Sequence, residues 1–185
     1  MRPRALRNDG NDGNDGGKQM TDRDVSGDGS VADGGLDLHW DYPAPHIVSL
    51  VVGEDAIDRM EHANNTAYVQ WFELAAWSHT EALGLGWDAY TRLNRGFVAR
   101  HTEVDYLRPA LKGDALRIAT WVVFNDQRLS MERHYQIVRD SDAATLARGS
   151  TQWVCVALDT GKPRRMPQEF IDIYPSDDIR RERRA

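Results

Sequence analysis

Asp58-Arg59-Met60-Glu61-His62-Ala63-Asn64-Asn65-Thr66-Ala67-Tyr68-Val69-Gln70-Trp71-Phe72-Glu73 places a carboxylate, an imidazole and two carboxamides directly before the longest apolar helical pattern in the chain. Asn64 or Asn65 suits the N-cap, because its side-chain oxygen can accept a first-turn N–H. A helix that starts there turns unpaired N–H groups and the positive end of its dipole toward the loop carrying Asp58 and His62. Such an arrangement suits a carbonyl substrate. The donors polarise the oxygen while a carboxylate attacks the carbon or activates water.

Working outward, the helix is expected over residues 65–83. Its apolar members, Tyr68, Val69, Trp71, Phe72, Leu74, Ala75, Ala76, Trp77, Ala82 and Leu83, cover more than one stripe, so it is expected to pack on several sides. Gly84 is placed to stop it, and a short second helix is expected around residues 87–93. Before the loop, residues 46–52 are apolar and β-branched and end at Gly53, which reads as a strand. After residue 96 the pattern turns to strands at 97–106, 115–124, 129–139 and 145–158, separated by short polar turns. Short loops between consecutive strands predict an antiparallel meander. The order predicts an α+β domain, one long helix against a curved antiparallel sheet.

The chain has 185 residues, enough for one domain plus a tail. Its net charge of -6 argues against a nucleic-acid binder that relies on a basic surface. The one cysteine, Cys155, excludes an intrachain disulfide and a cysteine-cluster zinc site, and its apolar neighbours read as core. No apolar run approaches a membrane span and no signal-peptide core is visible, so a cytoplasmic protein is expected. Residues 1–42, with Asn-Asp-Gly repeated from Asn8 to Gly16, read as a disordered tail. Asp22, Asp24, Ser26, Gly27, Ser30 and Asp33 fit a loose calcium-loop spacing, but Gly29 replaces its hydrophobic residue and no helix pattern flanks it. It reads as a chance match in a solvated segment. The folded domain is expected over residues 43–175, with a charged tail at 176–185. Neither nucleotide-binding glycine fingerprint is present.

The residues resemble the hotdog-fold acyl-CoA thioesterases of the 4-hydroxybenzoyl-CoA thioesterase-like type. The resemblance rests on Asp58 with His62-Ala63-Asn64-Asn65, Tyr68 and Phe72-Glu73, then Val104-Asp105-Tyr106-Leu107-Arg108-Pro109-Ala110 with Gly113-Asp114, then Asp159-Thr160-Gly161-Lys162-Pro163. It covers about residues 45–170 and implies a hotdog fold, the long helix wrapped by the sheet. It also implies subunits joined sheet edge to sheet edge as a homodimer or homotetramer, no metal or redox cofactor, no nucleic-acid or membrane partner, and acyl-CoA as substrate. Residue by residue, it makes Asp58 the catalytic carboxylate, as nucleophile or general base. The backbone N–H at Asn65 polarises the carbonyl, with His62 and Asn64 orienting water or substrate. Tyr68 and Glu73 are expected near the substrate, and Arg128 is expected on the coenzyme A phosphates. Where the family usually has Gly before the His, this chain has Glu61. Two further readings stay open, a non-hydrolytic module that binds acyl-thioesters and an acyl-carrier-protein thioesterase.

Overall fold

The computed structural model describes residues 38–174 and 178–183. The calcium-loop spacing and nearly all of the expected N-terminal tail lie outside the described residues. Among those described, no helix is long and apolar enough to cross a membrane.

The long helix, α1 (Asn65–Ala82), has Asn64 as its N-cap, whose Oδ1 accepts Thr66's N–H at 2.9 Å. At its other end Gly84 adopts φ 83°. Gly84's N–H donates to Glu81's carbonyl, and Leu85's N–H to Thr80's. This paired closure needs a left-handed residue, and glycine occupies that conformation without a Cβ penalty. The buried members of α1 are Ala67, Tyr68, Trp71, Phe72, Ala75, Ala76 and Thr80, a single stripe of i, i+1, i+4, i+5 spacing. Val69, Leu74 and Trp77, expected to be packed, are exposed. One chain's sheet covers one side of the helix only. The short α2 (Trp87–Leu93) follows as expected.

The strands are β1 (His46–Val51), β2 (Gly96–Tyr106), β3 (Ala115–Asn125), β4 (Ser130–Arg139) and β5 (Ala144–Val156), all antiparallel in the order β1-β3-β4-β5-β2. The expected meander holds for β3, β4 and β5 but not for β2, which pairs with β5 at the far edge. Residues 107–114 carry the chain past the ends of β5 and β4, a distance eight residues span easily at about 3.4 Å each. Loop length alone therefore did not reveal the crossing. Register shifts at Ala99/His101, Val122/Phe124 and Ile137/Val138 add the local bends that curve the sheet around α1. A further helix, α3 (Gln168–Ile173), was not legible in the sequence. It buries Phe170 against Tyr90 and Phe97.

Phe72 anchors α1 on the sheet, stacked on Tyr135 at 4.6 Å. Cys155 is buried as expected, and burial pushes its thiol up to about 11. The opposite face of the sheet is packed by residues 40–42 and by Arg180 and Arg183. Trp40 and Tyr42 pack edge-on against Trp121. Asp41 accepts two bonds from Arg148, at 2.7 and 3.0 Å, and one from Arg183 at 3.0 Å. Arg180 lies 4.1 Å over the Phe124 ring. The packed chain thus begins before residue 43 and includes described residues of the expected C-terminal tail. Trp40 and Tyr42 supply the apolar surface that the preceding Gly/Asp-rich segment lacks.

One arginine is buried between α1 and the sheet. Arg133 is 1% exposed and donates to His79 Nδ1 at 2.9 Å and Thr80 Oγ1 at 3.0 Å. A guanidinium offers only donors, so His79 must present a bare Nδ1 and remain neutral. Burial first, then the Arg133 charge, hold His79 down to about 3. The folded pKa lies below the unfolded value of roughly 6.5. The stability His79 supplies is therefore complete above that value and falls as pH drops from about 6.5 toward 3. Urea midpoints across this window should decline more steeply for the wild type than for His79→Gln, which keeps an acceptor without titrating. Equal slopes would contradict the assignment.

Candidate active site

Residues 57–63 form a miniature hairpin. Ile57 and Ala63 bridge antiparallel, Asp58's N–H donates to His62's carbonyl at 2.8 Å, and Glu61's N–H donates to Asp58's carbonyl at 3.1 Å. The Asp-x-x-x-His spacing is thus the spacing of a tight turn that sets the two residues opposite each other. Asp58 Oδ1 accepts Met60's N–H at 2.7 Å, which fixes the carboxylate's orientation. Its Oδ2 has no hydrogen-bond partner among the described residues.

Glu61 holds φ 62°, the left-handed bulge position that favours glycine. A side chain there costs about 1–2 kcal/mol, against about 0.5–1 kcal/mol of extra chain entropy for glycine. Glu61→Gly is therefore expected to stabilise the protein by about 0.5–1 kcal/mol, read as a higher urea midpoint. An unchanged or lower midpoint would show that the Glu61 side chain makes up for the strain.

The hairpin is tied to the start of α1 from three sides. Ala63's N–H donates to Ala110's carbonyl at 2.9 Å, and Asn64's N–H to Ala56's at 2.8 Å. The Tyr106 hydroxyl donates to Asn65's carbonyl at 3.1 Å. Asn64 is the N-cap, which resolves the choice between the two asparagines. Its Oδ1 takes Thr66's N–H and hydroxyl, and its carbonyl takes Ala67's N–H. Asn65 is left as the first helical residue, exposed, with its N–H unpaired among the described residues. An exposed N–H at the positive end of an 18-residue helix is a donor ready for a carbonyl oxygen.

Other expected residues are placed differently. Tyr68, expected near substrate, is buried, with its hydroxyl accepting Ala110's N–H at 2.8 Å and its ring edge-on to Tyr106 at 5.2 Å. Burial raises its phenol above the usual value, so it stays neutral and serves to position the 107–114 connection. Glu73 is exposed two turns into α1. Arg128 is exposed in the turn between β3 and β4, whereas the Asp58 hairpin borders the opposite end of β3. Eleven strand residues separate these ends by roughly 30 Å. A single chain does not bring Arg128 to Asp58. His62 is half-buried beside Asp58, and its ring has no partner among the described residues. Tyr106, in contrast, was passed over. Its position two residues after Val104 puts both on the helix-facing side of β2, the signal that pointed to it.

A model of the thioesterase-like superfamily matches residues 51–173, about two-thirds of the chain. Among solved structures, a 1,4-dihydroxy-2-naphthoyl-CoA thioesterase from Synechocystis is similar at 21% identity and TM-score 0.62, covering 69% of this chain and 93% of its own. A DHNA-CoA thioesterase from Staphylococcus aureus is similar at 23% identity and TM-score 0.64, with 69% and 85% covered. A hypothetical protein from Staphylococcus aureus, solved in complex with CoA, is similar at 14% identity and TM-score 0.64, with 72% and 87% covered. At these identities the likeness establishes the fold, a hotdog. No curated protein matches the chain.

Proposed function

The chain belongs to the thioesterase-like superfamily, and from that premise we propose that it hydrolyses an acyl-CoA thioester to a carboxylic acid and free CoA. The observation that carries this reading is the unpaired N–H of Asn65 at the start of α1, held by the same turn that orients Asp58. The thioester carbonyl accepts from Asn65's N–H, which stabilises the negative charge developing on its oxygen. Asp58 either attacks the carbonyl carbon and is released by water, or takes a proton from the attacking water. In both routes the thiolate of CoA leaves and is protonated, and His62 lies where it would orient the water. The relative solved with CoA supports that coenzyme as the carrier. A carrier-protein thioester would meet the same chemistry.

The site is completed, on this reading, by a second copy. β2 is an eleven-residue edge strand with one side unpaired, a template for another strand. Two β2 edges joined would set each α1 beside the partner's sheet and cover Val69, now exposed. A non-hydrolytic binding module is favoured by one feature, the commitment of Asp58 Oδ1 to Met60. Product analysis separates the two readings. Short, medium, long and aromatic acyl-CoAs are incubated with the purified protein, and acid and free CoA are quantified. Equal yields of acid and CoA with any substrate support hydrolysis. Saturable binding with no product from any of them would favour the module.

A further inference from the structure

We propose that Tyr106 is a positioning residue for this reaction, its hydroxyl fixing the first turn of α1 so that the Asn65 N–H points at the thioester carbonyl. The inference rests on the thioester reading above and adds a residue to it. Tyr106 is the last residue of β2, is 45% exposed, and donates its hydroxyl to the Asn65 carbonyl at 3.1 Å. The fold does not require that bond. A carbonyl in the first turn of an α-helix already accepts from the N–H four residues on. A phenol as exposed as this one can bond to water instead. What the bond does is immobilise the residue that carries the free donor.

Tyr68 is the contrast. It is buried, and its hydroxyl satisfies a buried N–H, that of Ala110, at 2.8 Å. The two rings meet edge-on at 5.2 Å, so one tyrosine braces the other. Ala110's carbonyl takes Ala63's N–H at 2.9 Å, and residues 106–110 thereby clasp residues 63–65 at two points. The base of the clasp is anchored in the sheet. Tyr106 pairs with Ala147 across β2 and β5, and the N–H groups of Leu107 and Arg108 both donate to Leu146's carbonyl, at 2.9 and 3.1 Å.

A helix start needs such a clasp if it is to do chemistry. Helix ends fray, and the proposed donor is on the first residue of α1. Upstream, Asn64 is held by its N–H on Ala56's carbonyl at 2.8 Å and by its own cap. Downstream, Tyr106 holds Asn65's carbonyl. The Asn65 N–H lies between these two anchors, so its direction is set before substrate arrives. Donors fixed in advance stabilise developing charge without reorganising during the reaction. A misplacement of about 1 Å can cost about a hundredfold in rate.

Tyr106→Phe removes one hydroxyl and leaves the ring against Tyr68. For any acyl-CoA that the wild type hydrolyses, kcat should fall about tenfold while KM changes less than about twofold. Both proteins are compared where sedimentation gives the same assembly, because Tyr106 ends the strand proposed as the subunit edge. The decisive readout is an acyl-CoA analogue with a methylene in place of the thioester sulfur and 13C at its carbonyl. A hydrogen bond to that carbonyl moves its resonance downfield, an effect that a merely structural tie would not alter at saturation. The wild type should show the shift, and Tyr106→Phe at most about half of it. A shift of the same size in both proteins, or an unchanged kcat, would overturn the inference and leave Asn65 as the donor. A wild type that shifts the carbonyl without hydrolysing any acyl-CoA loses the hydrolysis reading, and the two shifts still decide Tyr106. No shift in the wild type refutes the Asn65 donor and the role of Tyr106 together.

Discussion

Asp58→Asn is expected to lower kcat for acyl-CoA hydrolysis by about a thousandfold or more, a loss of ~4 kcal/mol of transition-state stabilisation. Asparagine is the informative replacement because it keeps the side-chain oxygen that accepts Met60's N–H at 2.7 Å, so the turn and its tie to α1 survive. Only the negative charge goes, and with it the nucleophile or base proposed above. The thermal midpoint should stay within a degree or two, and acyl-CoA affinity should change little, since the Asn65 donor is untouched. Retained wild-type hydrolysis would remove Asp58 from the chemistry. Loss accompanied by unfolding would mean that the carboxylate serves the turn.

The largest structural effect is expected at Gly149. The position faces α1, and a Cβ added there would fall against the Phe72 ring, with Cζ at 2.8 Å. Phe72 could yield only by giving up its stacking on Tyr135 at 4.6 Å. Gly149→Ala should therefore destabilise by about 2 kcal/mol, within the range for overpacking a filled core, and the thermal midpoint should drop by several degrees. Phe72→Leu alone is expected to cost about 1–2 kcal/mol through lost contact. The double variant should be more stable than the sum of the two, because the shorter side chain makes room for the methyl. Strict additivity would show that the ring moves aside freely and does not anchor α1.

The elements readable from sequence are those decided by neighbours along the chain. The Asn64 cap, the glycine closure at Gly84 and the Asp58–His62 turn each involve residues within five of one another. What escaped depends on distant partners. β2 reads as a strand from its own alternation, yet nothing in residues 96–106 says that it pairs with β5 across the sheet. Trp40, Asp41 and Tyr42 follow a segment rich in glycine and aspartate, so composition assigned them to the tail. Their partners Trp121, Arg148 and His134 are about 80 to 110 residues away. Within one chain Arg128 lies at the far end of β3 from the Asp58 hairpin, a placement the motif does not reveal because a motif's place in sequence does not give the direction in which a strand runs. Tyr68 was recognised as a motif residue, but which way its hydroxyl faces depends on Ala110, beyond β2.

Asn65, the first helical residue, is the proposed carbonyl-polarising centre. The most direct measurement is the amide spectrum of 15N-labelled protein titrated with a hydrolysis-resistant acyl-CoA analogue in which a thioether replaces the thioester sulfur but the carbonyl is kept. The amides of Asn65 and Thr66 should shift furthest, together with Asp58 and His62, and all at one saturating concentration. Shifts concentrated instead on the outer face around Asp41, Arg148 and Arg183, with Asn65 unmoved, would contradict it.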